Sequence, residues 1–584
     1  MLGPLDPKIV YPAPDHLIES RDSNFVFGSV GNGHATLTIN GIPVPVLPNG
    51  SFLAFLPNPT PDQPQYDLVA ALGADTVRLS RPVRLLPPRP ALLPTGPLVV
   101  DSASVTPAGR LALRDEERVR VSVRAPANAT VVWRGDSTTI APLVSQGALP
   151  GPHPGDTVIR GPVSTRYVGE PERWATSLPA ARLRAPTELV ISRGADTVRL
   201  PLPAIAPAPP PGTWGVLGAD SSAVSDTDRV IIGRPVPNGT YKWLLIPGTV
   251  VPVTGWAGDF ARVRLDDALE IWVLRDDVRL LPAGWAPAAS RVAGNASLIP
   301  ARDWVDLVIP MASCPPFLVE EGEHSLTLTL YGVHGNTDIL HYLPSDSLVR
   351  VVRWTPVGSE RVRYTIELTT RPYGYLALWD RGRFVLRVRR PPRVDRKHPL
   401  AGRTIAIDPG HPPIGATGPT GLYEPVPTLA VAERVRALLE AEGATVVMTR
   451  TTPAPVALGD RPIIARRANA DALVSIHLNA LPDGVNPFGA HGTGTYFFHP
   501  QSAPLARAIQ DGLVRRMGLR DLGVNYDNLA LARPTWMPAV LCEGAFIMIP
   551  EQEAALRTPT FQDAYARGIV EGLEHYFRAL ATPP

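Results

Sequence analysis

Thr404-Ile-Ala-Ile-Asp-Pro-Gly-His411, followed by PPIGATGPTGLYEPVPTLAVAERVRALLEAEG up to Gly443, decides the fold. Ile405–Gly410 is a short apolar run closed by Pro-Gly, the pattern of a buried strand. A Gly/Pro-rich loop leads to a helical segment. There Leu429, Ala432, Val435 and Leu439 line one face, and Gly443 suits the C-terminal cap. The alternation continues with strand TVVMT, helix PIIARRAN, strand ALVSIHL, helix PLARAIQDGLVRRM, strand PAVLCEGAF and a last helix around FQDAYARGIVEGLEHYF. Strands alternating with helices predict a three-layer α/β domain over 403–584.

Working back from this domain, the texture changes. The 584-residue chain is long enough for about three to five domains of roughly 100–200 residues each. Its 68 prolines fall mainly in the first 400 residues. Helix interiors reject proline, so this part is expected to be short strands and turns. Residues 1–24 read as a polar lead-in. From Asn24, NFVFGSVGNGHATLTINGIPVPVLPNGSFLAFLP alternates and turns at Asn40-Gly41 and Asn49-Gly50, which predicts a β-sandwich over 25–95. GADTVRL at Gly73–Leu79 recurs at Gly194–Leu200, so a second sandwich is expected over 96–205, with a longer insertion near PGPHPGD. A Pro-rich linker (206–213), a small barrel (214–283), a β-rich unit (284–392) and a linker (393–402) complete the order. The fold class expected is multidomain: N-terminal all-β sandwiches and a small barrel, then a C-terminal three-layer α/β domain.

Composition narrows the function classes. A net charge of +2 carries no signature for nucleic acid or an anionic membrane. No run of 18 or more apolar residues occurs, so no membrane span is expected. Cys314 and Cys542 lie far apart and read as unpaired thiols.

Four polar residues carry chemistry. His411 follows the first strand, His477 ends ALVSI, Glu543 ends AVLC, and Glu424 starts the helix after the first strand. In an α/β sheet, ligands bind at the C-terminal ends of the strands, so topology alone brings three of the four to one edge. Two histidines and a glutamate form a zinc donor set that leaves a position for water. A second carboxylate, Glu543, is suited to take a proton and return it to a leaving amine. Alternation along the strand turns Cys542 away into the packing layer. His491 and His499 flank GTGTYFF and read as solvated loop residues. His324, His334 and His341 lack ligand spacing.

TIAIDPGH, GATGPTGLYE with Glu424, VVMTR with Arg450, then Arg461, ANADALVSIHLNA with His477 and Asn479, GTGTYFF, PLARAIQ and MPAVLCEGAF with Glu543 together resemble the zinc-dependent N-acetylmuramoyl-L-alanine amidases of bacterial cell walls. The resemblance covers about 175 residues. It implies Zn²⁺ held by His411, Glu424 and His477, Glu543 as the catalytic carboxylate, and peptidoglycan as substrate. Asn479, Arg450 and Arg461 are candidates for substrate binding, the two arginines also for structural roles. The family has glycines after DPGH where this chain has Pro412-Pro413, which alters the pocket rim without removing a ligand. No room is expected for the inhibitory helix that some members carry, so the site should be open.

The upstream units are similar to the immunoglobulin-like, Src-homology-three-like and envelope-targeting β domains found ahead of such amidases. Through them an envelope protein partner is an expectation. The start, MLGPLDPKIVYPAPDH, lacks a basic segment followed by an apolar one, so a periplasmic or extracellular location implies a signal removed before this numbering. Two other readings stay open: a zinc peptidase acting within the stem peptide, and a wall-binding scaffold with an inactive amidase domain.

Overall fold

The computed structural model describes residues 3–581 except 88, 136–138, 148–169, 219–224, 227–229, 288–290, 342–345 and 490. The PGPHPGD insertion lies outside the described residues. The N-terminal two thirds is almost entirely β, and the C-terminal part is α/β.

The first unit has two sheets around one core that includes Phe52, Tyr66 and Leu68. It starts earlier than the expected lead-in allows. Lys8–Tyr11 pairs with Ser23–Ser29, and His16–Ile18 pairs with Asp75–Leu85. Ile9 and Ile18 belong to the core. The second unit again has two four-stranded sheets, closed on Trp133, Leu183 and Leu189. The repeated GADTVRL marks the same device in both units, a two-residue turn joining antiparallel strands. Leu72 faces Asp75 across Gly73-Ala74, and Arg193 faces Asp196 across Gly194-Ala195. Gly73 and Gly194 have φ of 60° and 59°, a conformation glycine adopts at little cost.

Unit boundaries are less separate than the sequence suggests. Leu111–Leu113 of the second unit and Ala206–Pro207 of the linker join the sheet formed by the 214–283 region. That region and the 284–392 strands share one continuous core, from Leu245 and Val263 to Leu328 and Phe384. Trp243 is buried in it, while Trp256 and Trp272 lie at its rim under Arg275 and Arg262.

The C-terminal domain is a six-stranded sheet. Its strands are β1 (Thr404–Pro409), β2 (Thr445–Met448), β3 (Ala472–Asn479), β4 (Thr493–Phe497), β5 (Asp521–Tyr526) and β6 (Ala539–Phe546), in the order β2-β1-β3-β6-β4-β5. The β2-β1-β3-β6 run is parallel, and β4 is antiparallel to β6. Helices α1 (Pro425–Ala441), α3 (Ala503–Met517) and α5 (Pro559–Leu580) cover one face over Ile405, Val474, Ile476 and Cys542. Gly512 and Gly568 let α3 and α5 touch. A Cβ on Gly512 would sit 2.2 Å from the Gly568 carbonyl oxygen.

The opposite face departs from a plain three-layer domain. Among the described residues its cover is the short helix α2 (Asp460–Arg467), the 529–537 segment, and Trp304, Leu376 and Leu378 from the preceding β unit. Arg389 fastens this junction. It donates to the Ala470 and Asn469 carbonyls and to Asp471, and lies over the Trp536 ring. The sheet therefore buries its second face against the neighbouring unit.

The first unit also packs on the C-terminal domain. Phe25, Phe27 and Leu53 meet Phe546, Met548 and Ile549. Asp483, in the loop after β3, accepts from Asn24 Nδ2 (3.0 Å), the Glu19 N–H (2.9 Å) and the Tyr11 hydroxyl, and contacts His16 Nε2 at 3.2 Å.

Candidate metal centre

Three strand ends build the site. β1 delivers Gly410-His411, β3 ends in His477-Leu478-Asn479, and β6 carries Glu543 opposite His477 in register. Glu424 stands at the N-terminus of α1 and is 2% exposed. Its carboxylate lies 3.3 Å from His411 Nε2 and 3.3 Å from His477 Nδ1, and also accepts from the Ala416 N–H (2.9 Å) and the Leu478 N–H (3.0 Å). One ligand atom each from His411, Glu424 and His477 lie within 4.8 Å of one another. Burial would push the Glu424 carboxyl up, but hydrogen bonds and charge from His411 and His477 outweigh it and hold the group down at about 2.

The backbone here is constrained. His411 has φ 55°, a left-handed conformation rare for a non-glycine residue and a form of strain common at functional sites. Gly410 must be glycine because a Cβ there would lie 2.6 Å from the His477 ring.

Glu543 is different. It keeps some exposed surface, but Oε2 is buried without a hydrogen-bond partner. Burial, then the nearby Glu424 charge, push its carboxyl well above the ordinary range. Cys542 is fully buried on the helix side, and burial raises its thiol, so it offers no nucleophile. Cys314 is equally buried, with its thiol pushed up to about 12, and both cysteines are free as expected.

The other candidates divide. Arg450 and Arg461 are buried and occupied. Arg450 donates to the carbonyls of Pro409, Gly410 and Pro425, each at 2.9 Å. Arg461 donates to Asp408 (2.9 Å) and to the carbonyls of His411 (3.0 Å) and Pro412 (3.1 Å). They hold the loop that carries His411. Asn479 stays half-buried at the sheet edge, where it can meet a ligand. His499 is not a solvated loop residue. It is buried, with Nε2 at 2.9 Å from the Arg533 carbonyl and Nδ1 at 3.1 Å from Glu321 of the preceding unit. His491 pairs with Gln552 at 2.8 Å.

Positioning residues that sequence reading missed are Asp408, Glu553 and Tyr565. Asp408 is fully buried and gathers Thr449, Arg461 and Ser475 beneath the loop. Glu553, in α4 (Pro550–Leu556), accepts from the Thr420 N–H and hydroxyl and from the Leu422 N–H, fixing the loop before Glu424. Tyr565 donates to the carbonyls of His477 (3.2 Å) and Cys542 (3.0 Å). The one available signal was Gly418, where a Cβ would meet the Glu553 carboxylate at 2.6 Å.

The donor set fits zinc. Two imidazoles and one carboxylate converge, and the partnerless Glu543 oxygen beside them is a polar atom the protein alone leaves unsatisfied.

Comparison with known proteins agrees with this chemistry. Residues 405–575 match the family described as N-acetylmuramoyl-L-alanine amidase. The probable cell wall amidase LytH of Staphylococcus aureus is 35% identical over 187 residues, 31% of this chain and 61% of that protein. The chain thus spans less than two thirds of the curated relatives it matches. The solved N-acetylmuramoyl-L-alanine amidase of Clostridium difficile 630 is 34% identical, covering 30% of this chain and 96% of that one with a TM-score of 0.29. The catalytic domain of CwlV from Bacillus (Paenibacillus) polymyxa var. colistinus is 32% identical, covering 30% and 97% with a TM-score of 0.28. The family match is confined to residues 405–575, the α/β domain that holds this site.

Proposed function

We propose that this protein hydrolyses the amide between the lactyl group of N-acetylmuramic acid and the L-alanine of the stem peptide in peptidoglycan. The observation that carries the reading is the convergence of His411, Glu424 and His477 beside the buried carboxyl of Glu543. His411, Glu424 and His477 would hold Zn²⁺. When bound, the metal supplies a Lewis acid and lowers the pKa of a water toward neutrality. Glu424 is suited to be a ligand because the Ala416 and Leu478 N–H groups each hold one of its carboxylate oxygens in place beside both imidazoles. Glu543 is suited to carry the proton: its unpartnered Oε2 stands beside His477, where a carboxylate can take a proton from water and pass it to the departing amine. Arg450, Arg461 and Asp408 keep the His411 loop in place through these steps.

The N-terminal β units, read as immunoglobulin-like, Src-homology-three-like and envelope-targeting domains, would hold the enzyme at the wall or at an envelope protein. That raises its effective concentration there. The setting is periplasmic or extracellular.

Mass spectrometry of soluble products from purified peptidoglycan tests the reading, with zinc-loaded protein, a chelated sample and Glu543→Ala in parallel. Free stem peptides with an L-alanine amino terminus, absent from both controls, are expected. Cleavage inside the stem would make it a peptidase. No product with retained wall binding would make it a scaffold.

A further inference from the structure

We infer that the cleft between the 284–392 β unit and the amidase domain binds the glycan strand left after amide cleavage, a saccharide bearing carboxylates. The inference rests on the amidase reading above.

The cleft has a volume of about 860 Å³, enough for several sugar rings. It lies at the far end of the sheet from the metal centre. Arg403 precedes the first residue of β1 and Asp471 precedes β3, whereas His411 and His477 stand at the other ends of those strands. Five arginines line it (Arg302, Arg389, Arg390, Arg393 and Arg403) against two aspartates, Asp303 and Asp471.

Some of these cations are already used. Arg389 and Arg403 share Asp471, and Arg390 pairs with Asp346 at 2.5 Å. Arg302 and Arg393 are not used in this way. Arg302 reaches only its neighbour Asp303, at 4.0 Å in full solvent. Among the described residues Arg393 makes no ion pair. Arg403 Nε is buried without a hydrogen-bond partner. Ser347, Thr369 and Thr370 add hydroxyls, which suit sugar oxygens.

The ligand class follows from the reaction. Amide hydrolysis adds water across the C–N bond. The acyl carbon gains an oxygen and leaves as a carboxylate on the sugar, and the amine leaves protonated on the peptide. A glycan that carried no charge of its own at the lactyl position therefore acquires one negative charge for each peptide removed. Guanidinium groups bind carboxylates with paired, charge-assisted hydrogen bonds. The cleft is thus charged to hold the product strand, so that an enzyme that has cut one stem stays on the glycan beside the next.

The test is sedimentation or fluorescence-anisotropy binding of the full chain carrying Glu543→Gln, so that any stem peptide remaining on the glycan probe stays uncut. The probes are glycan strands stripped of peptide by an unrelated amidase and neutral N-acetylglucosamine oligomers of similar length. A double variant, Arg302→Glu with Arg393→Glu, is compared in the same background; among the described residues neither side chain has an ion-pair partner beyond Asp303. Expected are preference for the stripped glycan, weakening of about tenfold or more in the double variant, and loss with added salt. Equal binding to the neutral oligomers, no effect of the double variant, or equal binding of a wall phosphodiester polymer would overturn the inference. Because an unrelated enzyme makes the probe, failure of the amidase reading would show separately, as absence of products from the wild-type chain.

Discussion

The loop that carries Glu424 and the strand end that carries Glu543 meet at one sheet edge, yet they are supported from opposite directions. The Glu424 loop is held from within its own domain: Glu553 grips Thr420 and Leu422, and Arg461 and Arg450 grip the neighbouring His411 loop. The end of β6 and the loop after β3 are held from outside, by Phe25, Phe27 and Leu53 of the first unit and by its grip on Asp483. The electrostatics split in the same way. Glu424 faces two imidazoles and stays ionised, while Glu543 faces only burial and a like charge. The comparison teaches that the proposed metal-holding side is supported from within the C-terminal domain, and that the proposed proton-carrying side is tied to the N-terminal unit.

The largest effect should come from separating the two carboxylates' roles. Glu543→Gln keeps the shape and removes the proton carrier. Its turnover on peptidoglycan should fall about 10²–10⁴-fold with zinc content unchanged, as read by product assay and metal analysis. Parallel loss of zinc would break the division between the two regions.

Next is Glu553→Gln, which touches no ligand directly. It weakens the grip on the loop before Glu424, so zinc affinity should fall about 10–100-fold, the range for residues that orient ligands. Competition with a chelating dye measures it. An unchanged affinity would mean the loop needs no such support.

The third effect is on stability against pH in metal-free protein, and the two carboxyls act with opposite signs. Glu424, held at about 2 against an ordinary 4.5, contributes stability that is present above 4.5 and lost as pH falls toward 2. Glu543, raised from 4.5, costs nothing below that value and destabilises increasingly as pH climbs above it. In a chelator, Glu543→Gln should therefore raise the melting transition of the catalytic domain at pH 7 by about 2–4 °C and leave it unmoved near pH 4. A gain of equal size at both pH values would trace the effect to packing.

These supports explain what the sequence could and could not reveal. Strand ends are legible because apolar runs stop at His411, His477 and Glu543, and topology sends parallel strand ends to one edge. Asp408 sits inside the quoted DPGH run, yet its partners Thr449, Arg461 and Ser475 come from three other elements. Glu553 looks like any acidic residue in a first helical turn. The strands at 8–18 were hidden because each is three or four residues long between prolines, too short for a period of two to register. The thin cover of the second sheet face was invisible because Leu376 lies in another unit.

The smallest effect tests the seam itself. Asp483 is buried, with three donors and the His16 ring around it drawn from Tyr11 to Asn24. Gly484 N–H in turn donates to Asn24 Oδ1 at 3.1 Å, so the loop after β3 and the first unit are joined in both directions. Asp483→Ala leaves those donors unsatisfied at a cost of about 1–3 kcal/mol. Most of it should appear as loosening of the contact, because the Phe25 and Phe27 packing remains. Hydrogen exchange should quicken in residues 16–24 and 481–488, and kcat/KM on peptidoglycan should fall a few-fold while zinc affinity holds. A fall in zinc affinity as large as that of Glu553→Gln would show that the first unit also supports the metal ligands, and the distinction between inner and outer support would collapse.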